Sequence, residues 1–187
     1  MAQKRFTIDG YGQLELNQVA FTRDGRIEAQ SPLDSTDFAQ TFAENGMILA
    51  VDNFAKAVKL PDTTDTSLIY ALNYSAEHTY HAEQGGLKDF KLGTKDFYPR
   101  LGYLAVGDKF TTNCLVYDDT EFTTDEELTE AYKGKETKLY GGVSATGAIL
   151  VSATAPTAGP VLVAVHGCGA GSMPDGQFAI QFQCVKA

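Results

Sequence analysis

Tryptophan is absent from the 187 residues, and methionine and cysteine occur only three times each. Cys114, Cys168 and Cys184 are an odd number with no C-x-x-C spacing, so neither a disulfide framework nor a zinc site is indicated. Each lies in or beside an apolar or Gly-rich run, where a free cysteine behaves as a small hydrophobe, as expected of a chain assembled in a reducing cytosol. Basic residues are also scarce: 15 stand against 24 acidic ones, for a formal charge of -9. That balance argues against binding nucleic acid by neutralising phosphates, which needs a basic surface. The acidity reads instead as solubility and self-repulsion. No window approaches the roughly 20 apolar residues of a membrane helix. The opening MAQKRFTIDGYGQ has basic residues but no apolar stretch behind them, so it is not read as a secretory signal. A soluble protein with no membrane partner is expected.

What is present is a grammar of short strands and turns. Hydrophobic residues make up 43% and charged residues 21%, which fits one ordered globular domain, and eighteen glycines tilt the balance towards turns. The stretch Glu44 to Pro61, ENGMILAVDNFAKAVKLP, sets the pattern. Asn45-Gly46 supplies the positive φ of a tight turn. Met47 to Val51 is apolar on both faces, as in a strand covered on both sides. Asp52 to Lys56 reverses the chain, and Val58 and Leu60 resume a period of two that Pro61 stops. Asp24-Gly25 between alternating segments predicts a further hairpin. Ser31 to Thr41 is polar, carries Pro32 and reads as a connector. A soft boundary there makes residues 1–43 an arm or hairpin segment and 44–187 the β-rich domain, unless the early strands belong to the main sheet. Ser67–Tyr74, Tyr98–Val106, Phe110–Tyr117, Leu139–Val143, Ala148–Ala153, Val161–Val165 and Phe178–Val185 read as strands. The segment from Glu83 to Phe97, without a sustained period, reads as a long surface loop of the kind that is functional or mobile. A single helix is signalled by Thr124-Asp125-Glu126-Glu127, a capping box, with Leu128, Ala131 and Tyr132 on one face and Gly134 at the end. The expected fold is mainly β, an antiparallel sandwich or barrel with one short helix and an N-terminal arm or hairpin.

The residues that invite chemistry lack its full geometry. His78-x-x-His81 is the best metal-like pair, but no helix or H-E-x-x-H pattern supports it. His166-x-Cys168 in VHGCGAGSMPDG places an imidazole near a thiol among backbone donors, yet no third orienting residue accompanies it. GCGAGS lacks the Lys-Ser/Thr of a phosphate loop. Asp118, Asp119 and Glu121 lack the spacing and central Gly of an EF-hand. Tyr70, Tyr74, Tyr80, Tyr98 and Tyr103 fit either a sugar platform or core and interface filling. No catalytic, cofactor-binding or metal residue is assigned, no cofactor is expected, and the chain is read as non-enzymatic.

The run ENGMILAVD with its returning VKLP, then YPRLGYLAVGDKFTTN, then LVAV followed by MPDGQFAIQFQCV, resembles small structural proteins of tailed bacteriophages, of the capsid decoration or cement type. The similarity spans about Glu44 to the end and lies in strand and turn patterns rather than in a catalytic signature. It implies a virion structural protein, assembled in the host cytoplasm and placed on the capsid surface. Its partners would be the phage major capsid protein and further copies of itself. The alternatives are a tail-associated or carbohydrate-binding adhesion module and, more remotely, a cysteine-dependent hydrolase built on Cys168.

Overall fold

The computed structural model describes residues 2–16, 19–65, 67–78, 86–134, 136–166 and 172–187, apart from the side chains of residues 77 and 78. In chain order the elements are β1 (Gln3–Arg5), α1 (Phe21–Asp24), β2 (Ile27–Glu28), β3 (Ile48–Asp52), β4 (Ala57–Lys59), β5 (Ile69–Asn73) and β6 (Leu101–Gly102). They continue with β7 (Lys109–Thr112), β8 (Leu115–Asp118), α2 (Asp125–Gly134), β9 (Tyr140–Val143), β10 (Ile149–Ser152), β11 (Val161–Ala164) and β12 (Ile180–Lys186). Seven strands form one sheet in the order β1-β8-β10-β9-β11-β12-β7, and five form the other in the order β2-β6-β5-β3-β4. The fold is a mainly β sandwich with a short helix, and neither sheet closes into a barrel. Among the described residues no helix is long and apolar enough to cross a membrane.

The Glu44–Pro61 stretch lies at the heart of the smaller sheet. Met47 N donates to Glu44 O, closing the turn, and Gly46 carries φ +85°, which the third position of such a turn demands. A Cβ at Gly46 would also run into Thr112 Oγ1, so steric room as well as backbone freedom selects glycine there. β3 then runs between β5 and β4, with Val51 opposite both Ile69 and Val58. Its residues Ile48 to Val51 are all buried because the two faces serve two cores. Ile48 packs with Leu72, Phe110, Leu115 and Ile149, while Leu49 and Val51 pack with Val58, Ala71, Leu92 and Leu101. The absence of alternation in the sequence is the mark of that double burial.

Residues 1–43 enter both sheets and both cores, so the soft boundary at 43 falls inside the packed structure. β1 pairs with β8 and β2 with β6. Phe6, Leu14, Val19 and Phe21 join one core, and Leu33, Phe38 and Ala43 join the other. The same segment covers sheet edges that would otherwise be open to pairing. Pro32 O and Asp34 N bond Val58 along β4, each at 2.8 Å, and Glu15 N donates to Thr111 O on β7 at 2.9 Å.

Three local expectations change. Phe110–Tyr117 is not one strand: β7 ends at Thr112 and β8 begins at Leu115, far apart in the order of the larger sheet, because Thr112 Oγ1 accepts from Cys114 N at 3.0 Å and turns the chain there. Asp24-Gly25 does not turn a hairpin: Phe21–Asp24 is a single helical turn, and Gly25, at φ +69°, returns its N–H to Phe21 O. The positive φ that suits a hairpin turn equally suits a helix C-cap, and the Phe21 ring, 4.9 Å from the Tyr74 ring in the core, decides between them. The sandwich is also not wholly antiparallel, since β10 runs parallel to β8. Parallel neighbours need a long crossover, and the connection through α2 and β9 supplies it. α2 itself follows its capping signal: Glu127 N donates to Thr124 Oγ1 at 3.3 Å, while the Glu127 carboxylate accepts from Thr123 N at 2.6 Å. Leu128 and Tyr132 bury its inner face.

Candidate functional site

Most polar side chains near the centre of the molecule are spent on backbone groups. Glu44 Oε2 accepts from Arg5 Nη2 at 2.6 Å and from Gly12 N at 2.5 Å. Asn73 Nδ2 donates to Glu44 O at 2.8 Å, and Asn45 Oδ1 accepts from Ala76 N at 3.0 Å. Ser75 Oγ donates to Asn73 Oδ1 at 2.5 Å and accepts from Arg100 N at 2.8 Å. Asn113 Oδ1 accepts from Gln13 N at 2.7 Å, and Thr112 Oγ1 donates to Gln13 O at 2.6 Å. This network ties the N-terminal segment to the Glu44–Met47 turn and to the ends of β5 and β7. Burial pushes the neighbouring Cys114 thiol up to about 12, too high for a thiolate nucleophile, and burial also raises Cys184.

Among the described residues, those singled out in the sequence do not converge. His166 Nδ1 lies 2.5 Å from Tyr132 O, and its ring is 5.2 Å from the Tyr132 ring, so this histidine braces the last turns of α2. Cys168 and His81 lie outside the described residues, as do Tyr80 and the side chain of His78. Asp118 Oδ1 accepts from Thr120 N and Oγ1 in a local turn, and Glu121 accepts from Ser152 Oγ and Ala153 N. Among the described residues no group of three or more His, Cys, Asp or Glu is arranged to hold a metal. The tyrosines scatter: Tyr74 is buried, Tyr98 is exposed, and Tyr70 and Tyr103 line a cleft of about 370 Å³.

One surface does bring exposed aromatic rings together. Ala43 and Leu92 exchange backbone bonds at 2.9 and 3.0 Å, and both side chains are fully buried, which fixes the Phe90–Phe97 loop to the fold. Tyr11 N reaches Lys88 O at 2.6 Å, and Lys88 pairs with Asp9, so the N-terminal segment lies along the same loop. Phe42 and Phe97 are each about two-fifths exposed, Tyr98 follows Phe97 in the chain, and the Phe90 and Phe97 rings lie 6.3 Å apart. Lys91 Nζ donates to Tyr11 OH at 2.7 Å and sits 4.3 Å from the Phe42 ring centroid and 4.8 Å from that of Tyr11. A cation held over two rings gives up conformational freedom before any partner arrives. Between Phe90 and Phe97 a shallow depression of about 440 Å³ is bordered by Asp89, Lys91, Lys95 and Asp96. The charges of this patch balance, which sets it apart from an otherwise acidic chain. Aromatic side chains are enriched at the centre of protein interfaces and charged ones are confined to the rim, and here the rings are bordered by charges.

The sequence marks only half of this surface. The loop ending at Phe97 stands out by its length, and the tripeptide Lys-Asp-Phe occurs twice in it, at 88–90 and 95–97. That doubling is the signal that was there to be read. Tyr11 and Phe42 carry no such signal, since only the fold brings them to Lys91. No protein-family model, curated protein or solved structure matches the chain.

Proposed function

We propose that the chain is a non-enzymatic virion protein of a tailed phage that decorates the outer face of the assembled capsid, acts as an oligomer and stabilises the lattice by bridging capsid subunits. The observation that carries this reading is the Phe42–Phe90–Phe97 surface, a preorganised aromatic patch rather than a cleft with convergent polar groups. The resemblance of ENGMILAVD, YPRLGYLAVGDKFTTN and MPDGQFAIQFQCV to decoration proteins supplies the partner. The mechanism is linkage: a protein that binds only the assembled lattice stabilises that state by mass action, and repetition over many sites makes a modest contact sufficient. Local charge balance at the patch serves the same end, because it removes repulsion where the acidic chain must approach another surface.

The test is the composition of purified particles together with rebinding to stripped ones. Mass spectrometry should find the chain in a fixed ratio to the major capsid protein, and Phe97→Ala and Lys91→Glu should each weaken rebinding while leaving the folded protein intact. Absence from particles, or rebinding unchanged in both variants, refutes the proposal. A second reading, the tail-associated or carbohydrate-binding module, draws on the same exposed Phe97 and Tyr98 beside Asp96 as a ring platform with a hydrogen-bonding edge. It predicts a few copies per particle, confined to the tail.

A further inference from the structure

The most exposed large apolar side chain of the described residues lies elsewhere, at the tip of the β3–β4 hairpin. Phe54 is 99% exposed. The backbone beneath it is pinned: Asp52 Oδ1 accepts from Phe54 N at 3.0 Å and from Ala55 N at 2.8 Å, and Asp52 Oδ2 pairs with Lys59 Nζ at 2.7 Å. The tip also departs from ordinary turn chemistry. Lys56, the sole non-glycine residue with positive φ among the described residues, is left-handed at φ 52°, where glycine or asparagine is the cheaper choice. A phenylalanine stands where turns favour small polar residues. At that exposure none of the described residues packs on the Phe54 ring, so their packing does not account for it.

The same end of the same sheet carries a matching hollow. Ile69 is the cross-strand partner of Val51, one residue before the tip begins. With Leu68, Tyr70, Tyr103, Leu104 and Pro160 it lines the cleft of about 370 Å³, and Ile69 remains 47% exposed. β5 is the immediate neighbour of β3, about 5 Å away, so knob and hollow share one end of the smaller sheet. A protruding ring next to an apolar cleft is self-complementary under a two-fold axis, the arrangement that an isologous dimer requires. The charges agree with that pairing. Lys56 is exposed beside the knob, while Asp62 and Asp65 are exposed next to the hollow, where Tyr70 OH donates to Asp62 O at 2.9 Å; with Lys186 lining the hollow itself, two carboxylates stand against one ammonium there.

We infer that two copies of this chain associate through this end, each inserting Phe54 into the Ile69–Leu104–Pro160 cleft of the other, with Lys56 facing the partner's Asp62 and Asp65. Two rings of about 150–250 Å² each, met by similar areas of cleft wall, bury about 600–1,000 Å². That lies below the roughly 1,200–2,000 Å² of stable complexes. The dimer is therefore weak and concentration-dependent in solution, and is suited to reinforcement when both copies are held on one surface. The oligomer belongs to the reading above, but the contact itself is independent of any capsid. Failure of this test therefore leaves the particle-binding test standing.

Sedimentation equilibrium of the isolated full chain, across a wide concentration range, tests the contact. The wild type should pass from monomer to dimer. Phe54→Asp and Ile69→Asp should each weaken association about tenfold or more, with Phe54→Asp leaving the denaturation midpoint of the monomer unchanged. An equimolar mixture of the two variants should recover part of the association, because the intact knob of one meets the intact cleft of the other. A wild type that stays monomeric, a Phe54→Asp variant that associates like wild type, or a mixture of folded variants that recovers nothing would each overturn the inference. If Ile69→Asp does not fold, the Phe54→Asp comparison still decides.

Discussion

The β3–β4 hairpin joins two opposite environments within seven residues, and that contrast can be measured. Ile48 is 1% exposed in one core, Val51 is fully buried in the other, and Phe54 projects into solvent. Ile48→Ala removes three carbons and Val51→Ala two, so at about 0.8 kcal/mol per buried carbon the transfer loss is about 2.4 and 1.6 kcal/mol. A cavity contribution adds to both, because β3 is held on either side by β4 and β5 and has little room to collapse. The expected losses are about 2–5 kcal/mol for Ile48→Ala and somewhat less for Val51→Ala. Phe54→Ala should change stability by no more than about 0.5 kcal/mol. Lys59 is not a neutral control in this hairpin, because its Nζ is paired with Asp52; Lys95 serves better. The assay is urea denaturation at low protein concentration, so that self-association does not contribute, with the slope checked for constancy. A loss below about 1 kcal/mol for Ile48→Ala would show that β3 is not the doubly covered strand described here. A loss above that for Phe54→Ala would show that the knob belongs to the fold.

Two further outcomes follow from particular residues. Gly46→Ala, at φ +85° with Thr112 Oγ1 in the way of the new methyl, should lower stability by more than about 2 kcal/mol; Gly107→Ala, at φ +100° with open space around it, isolates the backbone part and should cost less, which thermal or urea unfolding of both variants will show. Acid should weaken the seating of α2. Burial pushes the Asp125 carboxyl up, but hydrogen bonds from Tyr117 OH and Thr7 N together outweigh it and hold the group below its usual range. A depressed carboxyl contributes stability above the unfolded value of about 3.9 and loses it as pH falls through the folded value. Stability should therefore fall below about pH 4, and Asp125→Asn should flatten that part of the pH profile. An unchanged slope would refute the assignment.

What the amino-acid sequence determined by itself is local. Most strand positions from β3 onward follow from short apolar runs between Gly, Pro, Asn and Asp, though not the division of Phe110–Tyr117 into β7 and β8, and the start of α2 follows from Thr124 and Glu127, because these signals act within a turn or two of chain. Double burial of β3 was also legible, as a run without alternation. Only the tertiary structure decided the rest, since it depends on contacts between distant residues. Asp24-Gly25 ends a helix because Phe21 meets Tyr74, more than fifty positions away. Residues 1–43 are read as arm or core according to whether Leu14 reaches Thr112 and Leu33 reaches Val58, which no local pattern records. The tyrosines look alike in sequence, yet Tyr74 is buried, Tyr98 is exposed and Tyr70 lines a cleft, because exposure belongs to a position in the packed sheets. The aromatic surface is the same case: Tyr11, Phe42 and Lys91 come from three separate stretches, and they meet because Ala43 and Leu92 are bridged beneath them.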